Sequence, residues 1–457
     1  MNKLFLTLPV AALALVLGLT LVTREARAQT NLPEPDARLG GAATVFDATP
    51  NAFAQPVPGL EREHQLLFFV GNSFFNQNWV TAPASTTARD GLGPLFNARS
   101  CAGCHFKDGR GRPPAFDGEA PTGLLIRLGL LERDIHGSRL PDPNYGLQFQ
   151  DQAIEGVPKE GDLRITFEEV VGTYPDGTPY NLQRPTYQLD NLAYGDLHPE
   201  TALSPRVANQ MVGLGLVEAI PEADLLAAAD PTDVDGDGIS GRPNWVWDVQ
   251  NNRMSVGRFG WKAEQPSVLQ QVAAAFSGDI GVTSDVFAEE GCAVAQVECL
   301  GTVNGGNAAG EPEIPADDFL KVALYASSLA VPAQRDFDAP EVLDGAQLFI
   351  ESGCTGCHSE RHTTGVHPTI PALSRQTIRP YTDLLLHDMG DGLADDLNDF
   401  QATGSEAASG ARRRYGALGC SPRSTSTLFT CTTVAPATWK KPCCGTAAKR
   451  KPPNKLL

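Results

Sequence analysis

Positive charge is scarce in this chain. Its 457 residues hold 36 Lys and Arg against 54 Asp and Glu, a net charge of −18. Phosphate contacts need clustered Lys and Arg, so the acidic body excludes nucleic acid and anionic membranes as partners. Long apolar runs are scarce too. After Val22 no stretch of about 20 apolar residues follows, so no membrane span is expected once the first segment is removed. Cysteine is absent near residue 28, which leaves a lipoprotein anchor no attachment point.

Glycine and proline are plentiful instead. With 45 Gly and 35 Pro the chain stands well above the roughly 12% of an average protein, which predicts long loops and short regular elements. Its length divided by about 150 suggests roughly three domain-sized units. Charge is unevenly placed. Residues 405–457 hold ten Lys or Arg and a single acidic residue, Glu406, so an acidic body carries a basic tail.

Lys3, the apolar run from Leu4 to Val22 and the small-x-small sequence Ala26-Arg27-Ala28 make the three parts of a secretory signal peptide, residues 1–28. An uncleaved anchor is the competing reading, weakened by Pro9 and Gly18 inside the run. Export predicts a periplasmic protein, in a compartment where disulfides persist.

Four of the ten cysteines form two C-x-x-C-H motifs, Cys101-Ala-Gly-Cys104-His105 and Cys354-Thr-Gly-Cys357-His358. In such a motif both thiols can join the vinyl groups of one haem, and the adjacent His reaches the iron. A redox disulfide has no need of that His, and zinc would need further Cys or His clusters, which are absent near Cys101. Two covalently bound haem c groups are therefore predicted, with His105 and His358 as iron ligands. His387 and Met389, in L-L-L-H-D-M-G, are the candidate distal ligands, while Met211 at helical spacing from Val207 and Leu214 reads as core. Cys292 and Cys299 enclose a short loop and are predicted to pair.

Leu163 to Val171, a Pro-Asp-Gly-Thr turn and Tyr180 to Leu189 read as a β-hairpin. Arg206 to Ile220, Glu222 to Asp230, Ser267 to Phe276 and Ala316 to Leu329 read as helices. The fold expected is mainly α: two cytochrome c-like haem domains, residues 29–335 and 336–404, the first with a long insertion that contains the small β-hairpin. Asp233, Asp235 and Asp237 alternate before Gly238 as at the start of a calcium loop, but position 12 would be Asn244, so Ca²⁺ competes with a self-capping turn. Trp261, with Gln270, Gln271 and Asp279, offers an oxidisable aromatic and polar groups for a small ligand over haem; the plainer reading of Trp261 is a core aromatic.

The stretches L-F-N-A-R-S-C-A-G-C-H, S-P-R-V-A-N-Q-M-V-G-L-G-L-V-E-A-I-P, D-V-D-G-D-G-I-S-G-R-P-N, F-G-W-K-A-E-Q-P-S and P-Y-T-D-L-L-L-H-D-M-G-D-G together resemble the bacterial di-haem oxidoreductase family, also labelled thiol oxidoreductases. That family is similar to di-haem cytochrome c peroxidases and MauG-type enzymes. The resemblance covers about residues 35–404. It implies a peroxidatic haem at the first motif, an electron-delivering haem at the second, Trp261 as the aromatic between them and Gln271 on the peroxide side. It implies a small electron-donor protein, such as a cytochrome or cupredoxin, and a small oxidant as partners. A non-enzymatic di-haem electron carrier is the alternative; thiol oxidation ranks last, because no free cysteine of the body is poised for it.

The resemblance stops at the tail. Family members continue with a sequence like E-W-R-T-P-P-L-W-G-I-G-L and later L-H-D-G-R-A-R-N-L-E-E-A. Codons can be chosen for Ser409 to Cys420, and again for Thr430 to Ala448, so that reading one base earlier restores both. Residues 405–457 are accordingly read as out-of-frame translation caused by a frameshift or a sequencing error, with a basic disordered tail that binds an acidic partner as the competing reading.

Overall fold

The computed structural model describes residues 36–302, 305–306 and 310–389, with the backbone of strand fragments at 415–417, 420–421 and 430–431. The predicted signal peptide, residues 1–28, lies outside the described residues, as does the basic tail apart from those fragments. Among the described residues no helix is long and apolar enough to cross a membrane.

The expectation of a mainly α protein with two cytochrome c-like domains is overturned. Helix makes up 25% of the chain and strand 21%, the strands lying in several small sheets of two or three members. The cause is the high Gly and Pro content, which cuts regular structure into pieces. The predicted helix Arg206 to Ile220 shows it: strand Ala202–Val207 takes its start, residues 208–213 run open, and only Leu214–Glu218 is helical, behind Gly213 in the left-handed region. Strand pairing is often distant in sequence, as where Thr44 and Val45 lie parallel to Val331 and Pro332.

Among the described residues four helices have eight or more residues, α1 (Arg62–Asn76), α2 (Val268–Ala275), α3 (Ala316–Ser327) and α4 (Pro340–Glu351), and the first three supply buried side chains to the core. α1 crosses α3 at Gly71, where a Cβ would lie 2.2 Å from the Lys321 carbonyl oxygen. The core around that crossing holds Phe68, Phe75 and Tyr325 together with Ile370, Leu373 and Ile378, so residues on both sides of position 336 share one interior. A second cluster gathers Trp79, Phe96, Phe276 and Phe319.

Five strands matter below: β1 (Leu124–Gly129), β2 (Gln148–Phe149), β3 (Asp162–Thr173), β4 (Pro179–Asp190) and β5 (Ala202–Val207). β1 pairs with β2 on one side and β5 on the other. β3 and β4 form the hairpin foreseen in the sequence, in register from Asp162 opposite Asp190 to Thr173 opposite Pro179. Pro185 is tolerated within β4 because it faces Phe167, whose N–H points outward to the Asp117 carboxylate, so the ladder loses no bond there.

α2 begins where Ser267 caps it, the Oγ accepting from the Gln270 N–H at 3.1 Å. Ser267→Ala should cost about 1 kcal/mol, the usual worth of such a cap, read as a lowered urea midpoint. α2 does not end cleanly. It passes into a π turn over Phe276–Ile280 before Gly281, at φ +75°, turns the chain away.

Candidate functional site

The first motif forms a single helical turn, Cys101–Cys104, closed by the His105 N–H donating to the Cys101 carbonyl at 2.9 Å. Its approach is fixed to the π turn, since the amides of Asn97 and Ala98 both donate to the Asp279 carbonyl. Gly123, at φ +65°, leads into β1 so close to the motif that a Cβ would meet the Cys104 backbone at 2.8 Å. Neither Cys101 nor Cys104 is in a disulfide. Burial, helped by the nearby Asp279 charge, pushes both thiols up to about 12. The His105 Nδ1–H donates to the Asn209 carbonyl at 2.6 Å, just beyond β5. That bond fixes the tautomer and leaves the lone pair on Nε2. Burial lowers the His105 pKa against the pull of that carbonyl, which keeps the ring neutral, as a metal ligand must be.

The second motif repeats this arrangement. α4 ends, Gly353 turns at φ +75°, and the His358 N–H donates to the Cys354 carbonyl at 2.9 Å. The His358 Nδ1–H donates to the Tyr381 carbonyl at 3.0 Å, and burial again lowers the ring's pKa. Cys357 is outside any disulfide. Cys354 is disulfide-bonded, so its sulfur must be released before it could form a thioether.

One cavity of about 1390 Å³ joins the two motifs, with Cys101, Cys104 and His105 in one wall and Cys354 and Thr355 in another. It exceeds the roughly 300–1,000 Å³ of a site for one small ligand. α4 explains its character. This helix is amphipathic yet has no buried residue, because Val342, Ala346 and Phe349 face the cavity in place of a protein core.

Trp261 and Gln271 both lie in the cavity wall, half-buried, and Met211 joins them. The Trp261 indole N–H donates to the Val207 carbonyl at 2.7 Å, which holds the ring in place. Gln270 is turned away, its amide committed to the Trp247 carbonyl, Gln265 and the Val249 N–H. Sequence reasoning missed two polar features of this wall. Arg206 and Glu264 form a largely buried ion pair, and Gln148 links Arg127 to Asp279. Their partners come from separate strands and loops, so no local spacing signals them. The Asn209 and Tyr381 carbonyls carry no side-chain signal at all.

His387 is buried between Asp383 and the Ser240 carbonyl, at 2.9 and 3.0 Å from its two ring nitrogens. Burial opposes its charge, but Asp383 and the Cys357 sulfur outweigh burial and bring its pKa up to about 10. In this arrangement it presents two N–H groups and no lone pair. Met389 is half-buried at the end of the described stretch. Cys292 and Cys299 are joined by a disulfide.

In the acidic loop the structure brings Asp233 and Asp235 together with Asp230, all within 4.8 Å, and not with Asp237. Each of these carboxylates accepts from a backbone N–H of the loop: Asp233 from Gly238, Asp235 from Asp237, Asp237 from Ile239. Asn244, at the twelfth position, is buried and donates to the Lys262 carbonyl instead. The turn is closed by its own backbone.

The two motif histidines make matching outer hydrogen bonds, and the cavity is lined by His105 of the first motif and by Cys354 of the second, an arrangement suited to an oxidoreductase with two haems. The chain belongs to the family described as di-haem oxidoreductase, putative peroxidase, whose profile matches residues 36–123 and 146–417. No curated protein and no solved structure matches it. The unmatched segment includes β1 and a loop whose His136 ring stacks on Trp247 at 3.7 Å. The residues fit haem on three counts: neutral imidazoles with Nε2 as the lone-pair nitrogen, three cysteines outside disulfides, and a cavity wall of apolar side chains.

Proposed function

We propose that this protein reduces a peroxide or another small oxidant at the first motif, using electrons received through the second. The observation that supports this reading is a cavity lined by Cys101, Cys104 and His105 of the first motif and by Cys354 of the second, with Trp261 and Gln271 in its wall. Haem c held by Cys101, Cys104 and His105, and by Cys354, Cys357 and His358, would supply one-electron centres and, at the first, a site for peroxide. The chain's own residues do the rest. His105 and His358 are held in one tautomer by the Asn209 and Tyr381 carbonyls. Gln271 offers an amide donor and acceptor to a peroxide oxygen, and Trp261 offers an oxidisable ring between the two motifs. The apolar face of α4 excludes water from the region between them.

The signal sequence supports a periplasmic location, where a small cytochrome or cupredoxin would be the electron donor. Asp230, Asp233 and Asp235 would be the ligands of any bound Ca²⁺. Peroxide turnover with a reduced small donor protein tests the function, beside a resting optical spectrum. Turnover and a high-spin, ligand-accessible haem are expected. Two low-spin haems indifferent to added ligand, without turnover, would replace the enzyme by an electron carrier.

A further inference from the structure

We infer that Tyr325 is a redox-active residue behind the first motif, one that lends an electron to the haem held there and passes its phenol proton to Asp108. The inference rests on the proposed reduction of a peroxide and gives that reaction an internal electron source.

A line of ring contacts leads from the motif into the crossing of α1 and α3. The Phe75 ring lies 6.2 Å from the His105 imidazole and 5.2 Å from the Tyr325 ring. One ring therefore separates Tyr325 from the iron ligand. Phe75 stands in the cavity wall and Tyr325 behind it, fully buried, in the cluster on which Cys101 also packs. Tyr325 is placed to exchange electrons with the motif without touching a ligand in the cavity.

What sets this tyrosine apart is where its proton can go. The Tyr325 hydroxyl donates to Asp108 Oδ1 at 2.5 Å and accepts from Asn72 Nδ2 at 2.8 Å. A phenol that loses an electron becomes a strong acid, and a positive charge held in an apolar core is costly, so a base must already be in contact. Tyr145, Tyr194 and Trp261 donate to the carbonyls of Gly195, Pro158 and Val207, which do not take up protons. Trp79 is fully buried with no hydrogen-bond partner on its indole nitrogen among the described residues. The backbone is bent to make the Tyr325–Asp108 pair. Lys107 and Asp108 take φ of 51° and 60°, in the left-handed region that residues with a Cβ enter at a cost and that collects at functional sites. That turn leaves Phe106 and Lys107 exposed and carries the Asp108 side chain inward, to 2% exposure.

Over a complete turnover the O–O bond of hydrogen peroxide breaks, two electrons and two protons are taken up, and two waters form. The reduced donor protein is the final source of both electrons. Tyr325 advances one of them. The haem that the peroxide has oxidised is reduced by one electron, and the phenol is oxidised by one to a neutral phenoxyl radical. Its O–H bond breaks and the proton passes to Asp108 Oδ1. When an electron next arrives from the donor, the radical is reduced, the proton returns from Asp108, and Tyr325 is restored.

The test mixes hydrogen peroxide with the full chain loaded with haem, without reduced donor, freezes the mixture and records its electron paramagnetic resonance. A phenoxyl radical is expected, with hyperfine splitting that collapses when the protein is grown on ring-deuterated tyrosine. Adding reduced donor beforehand should suppress it. Tyr325→Phe keeps a ring in the core and should abolish the signal. Asp108→Asn keeps a hydrogen-bond acceptor but cannot take the proton, and should lose most of it. Haem content and urea midpoint show whether each variant is folded. A signal that survives in folded Tyr325→Phe overturns the assignment, and a full signal in folded Asp108→Asn overturns the proton's destination. The labelled wild type needs no variant: a radical indifferent to deuterated tyrosine, or peroxide reduction with no radical, also overturns the assignment. A haem-loaded wild type that does not react with peroxide overturns the parent proposal, and the assignment with it.

Discussion

A chain carrying Cys101→Ser and Cys104→Ser should leave a haem-maturing host with one covalent haem where the unaltered chain should carry two. The absorbance of the pyridine haemochrome per chain, taken after unfolding, should therefore halve. Thioether formation needs sulfur, and serine cannot supply it however well His105 still binds iron. Peroxide turnover should fall to background, because the lost group is the one beside Gln271, Trp261 and Asp279. A variant that keeps both haems after denaturation would remove the covalent reading of the first motif.

The second large effect concerns the frame that holds this motif. Gly71→Val should destabilise the folded chain by about 3 kcal/mol, the upper end of ordinary overpacking. The reason is backbone against backbone. A Cβ at residue 71 would stand 2.2 Å from the Lys321 carbonyl oxygen and 2.8 Å from the Tyr325 Cβ, and α1 and α3 cannot part without opening the core. Tyr325 sits fully buried there, its hydroxyl donating to Asp108 at 2.5 Å, three residues after His105. The urea midpoint is the measurement; an unchanged midpoint would mean that the two helices are free to separate.

What the sequence disclosed follows from how local each signal is. The two C-x-x-C-H motifs are five contiguous residues each, because one porphyrin edge must be reached from a single turn, and they could be read at once. The β3–β4 hairpin was equally plain, since its turn lies between its own strands. Helices over 268–275 and 316–327 were legible from their apolar spacing. The overall class was not. Two-residue strands such as Thr44–Val45 carry no alternation to detect, and their partners lie hundreds of residues away. Met211, read as core from its helical spacing, lies in open chain at the cavity wall, although it also packs on both central clusters. The segment carries Gly213 and Gly215, and spacing alone could not tell a helix from a stretch held open around a cavity.

α4 carries a consequence for how the protein is made. A helix that buries none of its residues and turns Val342 and Ala346 to the cavity would gain an inner lining from a prosthetic group held there, as a wall gains from the beam behind it. Attachment of haem at the two motifs, as proposed, would then be the last step of folding and not an ornament added to a finished fold. Chains that miss it should be cut by proteases first near residues 340–351, and limited digestion before and after maturation would display that order of assembly.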